Sequence, residues 1–228
     1  MPDTDEKFYA GHRERLRAKL LDGKLTDNEK LELLLAYAIP RRDVRPLARS
    51  LVQRFGGVYK VFNASVDELV ACKGIGHNTA VFIKLVKEIM TVNYKGQMKD
   101  MPVFHDEKIL HNYCRMVLAN KRVEELHLLY LDHNLQLISD ETHSTGTFNT
   151  SLVYPREIAR RALELNARSV VMVHNHPMSD HAFSQDDLDS TQLVISVLKS
   201  LEIEFYDLIL VAGEKVFSMR TYYPFIKG

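Results

Sequence analysis

Along the first ninety residues the apolar positions recur at helical spacing. "GHRERLRAKLLDG" (11–23) carries a short apolar face, Leu16, Leu20 and Leu21, under a basic one. "TDNEKLELLLAYA" begins at Thr26 with Glu29 three residues on, a capping-box spacing, and stops before Pro40. "RDVRPLARSLVQRFGG" predicts a third helix closed by Gly56-Gly57, and "SVDELVACKGIGHNTAVFIKLVKEIM" two more around a glycine turn. The polar, unpatterned "NYKGQMKDMP" (93–102) reads as a linker. Beyond it comes one more helix, "DEKILHNYCRMVLAN", and then the period changes. "LHLLYLD" and "LQLIS" are strand-like around the turn Asp132-His133-Asn134. "PREIARRALELNA" is helical, "SVVMVH" a buried strand, "SQDDLDSTQLVISVLKSL" a long amphipathic helix, and "EFYDLILVAGEKVFSM" a hairpin turning at Gly213. The pattern predicts an α+β protein: an all-helical module over 1–95 and a mixed α/β module over 103–228.

Composition adds little to this, and charge adds something. With 46% hydrophobic and 26% charged residues the chain is of ordinary globular make-up. No apolar run approaches the ~18 residues that span a bilayer. "MPDTDEKFYAGHRERLR" has no hydrophobic signal core, so a cytoplasmic location is expected. Cys72 and Cys114 lie far apart and read as buried thiols. Net charge is zero overall, yet residues 1–99 hold 18 Lys and Arg against 12 Asp and Glu, and the remainder the reverse. The first module is therefore basic enough to meet a polyanion.

Its glycine turn, Lys73-Gly74-Ile75-Gly76, frees backbone N–H groups at a helix start, where a phosphate oxygen can be held. With Leu69 and Ala80 at motif positions it resembles a helix-hairpin-helix, which implies sequence-independent contact with the DNA backbone. The plain alternative is an αα-hairpin with a convenient turn. Arg13, Arg15, Arg17, Arg41, Arg42 and Arg45 could widen a binding surface, or each be merely solvated.

"VHNHPMSDHAFSQDDLD" (173–189) concentrates three histidines, two serines and four aspartates. It is either a solvated loop or a metal site. His174 and His176 stand at i and i+2 at the end of a strand, so their side chains share one side. Two imidazoles there suit zinc, Pro177 ends the strand, and Asp187 returns on the next helix as the carboxylate. Ser184 and Asp187 equally read as a helix cap, a reading compatible with ligation. His181, Asp180 and Asp186 read as solvated.

The spacing H-x-H-P-x6-S-x2-D resembles the JAMM signature of the JAB/MPN metalloprotease superfamily. "GTFN", "YPREIARRALELNA" and "VVMVHNHP" follow one another as in RadC proteins, and "GHRERLRAKLLDG" and "LLLAYAIPRRDVRPLA" resemble the N-terminal module of that family. Met178, Ser179 and Phe183 depart from it, standing where Ser-Gly and a proline are usual. The resemblance implies Zn²⁺ held by His174, His176 and Asp187, an activated water, a glutamate that takes its proton, and Ser184 assisting the oxyanion. It implies a zinc-dependent hydrolase, a JAMM-type metallopeptidase for peptide or isopeptide bonds in an unknown protein or peptide substrate, with DNA as the partner of the helical module. A DNA-associated repair or recombination protein, non-catalytic or a nuclease, is the alternative. For the glutamate, "RVEELHLLYLD" offers Glu124 and Glu125, of which strand alternation lets only one face the site. Aligned on the family strand the glutamate is Glu124, with Glu141 a more distant candidate.

Overall fold

The computed structural model describes residues 4–146, 153–177 and 183–223. The chain divides into two compact units, Met1–Ile89 and Met90–Gly228.

The first unit is helical: α1 (Thr4–Leu21), α2 (Asp27–Ala38), α3 (Arg45–Phe55), α4 (Val58–Asn63), α5 (Val66–Val70) and the start of α6 (His77–Asp100). Thr26 caps α2 in a complete capping box with Glu29, and Gly56 closes α3 in the left-handed region at φ 82°. Leu35, Leu51, Leu69, Ile75, Ala80 and Ile83 are sealed in one core. Burial of each large side chain there stabilises the unit by about 2 kcal/mol. Segment 93–102, expected as a linker, is helical as far as Asp100. Its polar composition hides the anchors Tyr94 and Met98, four residues apart, which pack into the core of the second unit with Met98 fully buried.

The second unit continues with α7 (Glu107–Leu118), β1 (Glu124–Leu131), β2 (Leu137–Gly146), α8 (Pro155–Glu164), β3 (Ser169–Asn175), α9 (Gln185–Lys199), β4 (Glu204–Ala212), β5 (Lys215–Ser218) and α10 (Met219–Tyr222). The five strands form one mixed sheet in the order β2-β1-β3-β4-β5. All pairs are antiparallel except β3 with β4, which run parallel and are joined through α9. Alternation along β3 sends Val170 and Met172 to one face, with α8 and α9, and Val171 and Val173 to the other, with α7. Both faces being covered, the strand is apolar almost throughout. The described helices include none long and apolar enough to cross a membrane. Cys72 and Cys114 are free and buried.

Candidate metal centre

His174 is the last but one residue of β3 and His176 follows the strand, still tied to β4 by its N–H donating to the Val211 carbonyl at 2.9 Å. The two rings lie 4.6 Å apart between centroids and nearly perpendicular, at 87°. Asp187, in the first turn of α9, closes the third side. Nε2 of His174 stands 3.1 Å from its Oδ1, and Nε2 of His176 stands 3.5 Å from its Oδ2. The three ligand atoms lie within 4.8 Å of one another.

This donor set fits a divalent ion of the zinc type. Tetrahedral zinc with ligand bonds near 2.0–2.1 Å has ligand-to-ligand edges of roughly 3.3 Å; the approaches of the two histidines to the Asp187 carboxylate, 3.1 Å to one oxygen and 3.5 Å to the other, are of that size, and the full set of three donor atoms lies within 4.8 Å. Nε2 of His174 is buried and makes no hydrogen bond. It stands 3.1 Å from Oδ1 of Asp187 but lacks the alignment of a hydrogen bond. A buried ring nitrogen is costly to leave unpartnered, and a cation at this point would satisfy it. His176 is held below its ordinary pKa by burial first and by His174 next, against the pull of Asp187 and Glu124. That favours the neutral imidazole a metal requires. Burial alone would raise the pKa of Asp187. His174 and the Ser184 backbone N–H and hydroxyl outweigh it and bring the carboxyl down to about 2.

Ser184 caps α9 and buttresses Asp187 at once. Its backbone N–H and its hydroxyl both donate to Oδ2 of Asp187 at 2.7 Å, and its Oγ accepts the Asp187 N–H at 3.1 Å. The capping box therefore includes Asp187, the candidate ligand. Phe183 meets the rings of Tyr222 and Tyr223 at 6.3 Å each, so aromatic packing supports the entry to α9. Asp186 is exposed. Met178, Ser179, Asp180 and His181 lie outside the described residues, as do Thr147 to Asn149 of "GTFN".

The register of β1 against β3 separates the glutamates. Leu126 stands opposite His174, so Glu124, two residues earlier, shares the face of the two histidines and α9. Glu125 turns to the opposite face. There Lys121 Nζ reaches its Oε1 at 2.9 Å and His127 Nε2 lies 3.1 Å from its Oε2. Glu141 is gripped by Arg161 through three contacts of 2.6–3.0 Å and accepts a hydrogen bond from Ser139.

In the helical unit, Lys73 and Gly76 are exposed and Ile75 is buried as the plug between α5 and α6. Gly74 has φ +101°, and a Cβ there would stand 3.1 Å from the Arg42 guanidinium. Three of the six arginines considered for this surface are occupied internally. Arg13 donates to the carbonyls of Ile39 and Arg42, Arg17 to the Tyr37 hydroxyl, and Arg45 to both carboxylate oxygens of Asp43.

Two features escaped the reading of the sequence. Asn175, inside the quoted "HNHP", buries its carboxamide behind the ligands, where strand alternation would have put it. Asp140 joins His127 and Glu125 in a polar cluster that no spacing along the chain reveals. A comparison with protein-family models matches residues 104–223 to the RadC-like JAB domain, more than half of the chain.

Proposed function

Because the chain belongs to the family of the RadC-like JAB domain, we propose that it is a zinc-dependent hydrolase of peptide or isopeptide bonds. The observation that carries this reading is the convergence of His174, His176 and Asp187 within 4.8 Å, with Glu124 on the same face of the sheet. When bound, zinc lowers the pKa of water to roughly 7 and polarises a carbonyl. The protein's own groups then move the proton. As water attacks the carbonyl carbon, the Glu124 carboxylate takes one of its protons. The C–N bond breaks, and the departing amine leaves with the proton that Glu124 held. The one proton of the Ser184 hydroxyl rests on Oδ2 of Asp187; released from there, while the Ser184 N–H keeps its own bond to that oxygen, it would donate to the substrate oxygen and steady the developing charge.

Zinc-loaded protein offered peptide, isopeptide and DNA libraries tests the reading. Amide hydrolysis lowered roughly 10²–10⁴-fold by Glu124→Gln supports it. Cleavage confined to DNA would replace it with a nuclease, and cleavage of none with a scaffold whose metal holds the fold.

For the helical unit we propose weak, sequence-independent binding to DNA through Lys73 and the backbone of Gly74, Ile75 and Gly76. The basic balance of residues 1–99 and the exposure of Lys73 and Gly76 support it. Affinity should fall steeply with salt as counterions are released. Binding indifferent to salt would count against it.

A further inference from the structure

We infer that Asn175 is a positioning residue for Glu124, holding β1 from behind the metal ligands. Asn175 stands between His174 and His176, and alternation sends its side chain to the opposite face of the sheet. It is 1% exposed. Its carboxamide bonds to β1 twice. Nδ2 donates to the Val123 carbonyl at 3.1 Å, and Oδ1 accepts the Glu125 N–H at 2.9 Å. Those groups belong to the two residues that flank Glu124.

The place where this happens gives it meaning. The backbone pairing of β1 with β3 ends at Leu126 and His174. Past that pair the β3 backbone belongs to β4, through Asn175 opposite Val211 and the His176 N–H on the Val211 carbonyl. The carboxamide therefore continues a ladder that the backbone has left, presenting one donor and one acceptor in a plane as a peptide group does. Glu125 is fixed on the same rear face by Lys121 and His127. Pinned on both sides, Glu124 has its Cα–Cβ bond directed to the face of the histidines. Aspartate at 175 would keep the acceptor for Glu125 N–H but set an oxygen against the Val123 carbonyl. Alanine would drop both bonds.

The clamp stands on geometry alone, and its catalytic consequence rests on the hydrolase reading. The test uses the full zinc-loaded chain with Asn175→Ala, and the near-isosteric Asn175→Leu, which also drops both bonds, where alanine fails to fold. Zinc content should stay at the wild-type level, while the Glu125 amide exchanges with solvent about tenfold faster or more. Peptide turnover should drop roughly 10–100-fold in kcat with KM nearly unchanged. In a Glu124→Gln background the same substitution should cost less than about twofold, because the two residues act as one. Undiminished protection of the Glu125 amide would overturn the clamp. Loss of zinc would make Asn175 a support of the ligands instead, and an equal cost in both backgrounds would make it a general scaffold residue. If the wild-type protein hydrolyses nothing, the hydrolase reading falls and the Glu124 carboxyl ¹³C resonance decides. Its shift toward the random-coil position in Asn175→Ala supports positioning, and an unmoved line refutes it.

Discussion

The two faces of the sheet each carry histidine against carboxylate, and they differ in what else is present. On the face of α9, His174 and His176 meet Asp187, and among the described residues no lysine or arginine reaches that carboxylate. On the face of α7, His127 lies between Glu125 and Asp140. Lys121 reaches Glu125, and both Lys95 and the Tyr113 hydroxyl reach Asp140. The second cluster has its cations built in. The first leaves a ring nitrogen, Nε2 of His174, buried without a hydrogen bond; in the second Oδ1 of Asp140 also lacks one, but it faces the His127 ring at 3.6 Å while Lys95 and Tyr113 hold the other oxygen. Histidine beside acid is thus not by itself a metal signal. What distinguishes a candidate cation site is a set of donors converging on one point with no resident positive charge. In the cluster around His127 the carboxylates approach opposite nitrogens of a single ring, which leaves no common point for an ion.

The sharpest way to break this contrast is to delete histidines on each face. His174→Ala/His176→Ala should take zinc from one ion per chain to none by elemental analysis, and His127→Ala should leave it unchanged. Zinc retained by the double variant would move the site elsewhere. Next comes the pair of adjacent glutamates. Glu124→Gln should keep zinc and lower turnover by roughly 10²–10⁴-fold, the usual contribution of a positioned base. Glu125→Gln should show its main effect in the denaturant midpoint. A reversal of the two would shift the base to Glu125.

The smallest effect separates the faces by stability. His127→Gln removes the group between two buried carboxylates and should cost about 3 kcal/mol near pH 6. Burial works against the charged ring, but Asp140 first and Glu125 next raise its pKa above the ordinary 6.5. A raised folded pKa means stability that is fully present below pH 6.5 and is lost as pH rises through the folded value. Glu125 and Asp140 are both lowered, despite burial, by their partners. Their share is present above the ordinary values of 4.5 and 3.8 and is lost in acid. The gap between wild type and His127→Gln in urea should therefore be widest between about pH 4.5 and 6.5. A gap that kept widening above pH 7 would contradict the network.

Much of this arrangement is legible from local pattern, and the failures share a cause. Ser184 and Asp187 are readable because a cap is a spacing of three, and the histidines because strand alternation is a spacing of two. The family likeness of the α+β fold was legible in the same stretches, and residues 104–223 bear it out. The strand-like "LQLIS" stops at Ser139, yet β2 runs to Gly146. It is an edge strand, half exposed through "DETHSTG", so it carries no apolar alternation to read. The six-residue α4 is too short for a period to show. The linker reading failed at Met98, one buried side chain in a polar run. The cluster around His127 draws on α6, α7, β1 and β2, and only the folded register of the strands brings Asp140 to His127.

The double use of Ser184 narrows what position 184 tolerates. As a helix cap alone, the position would accept serine, threonine, aspartate, asparagine or glycine at little cost. As a support for Asp187 it must also donate a proton to a carboxylate oxygen 2.7 Å away. Aspartate would set a second negative charge against the first, glycine would offer nothing, and asparagine would have to turn its amide away from the cap to donate. Only a hydroxyl both accepts from the Asp187 N–H and gives to its side chain. The permitted alphabet at this residue shrinks to serine and threonine, and the restriction comes from one oxygen of a neighbour three residues away.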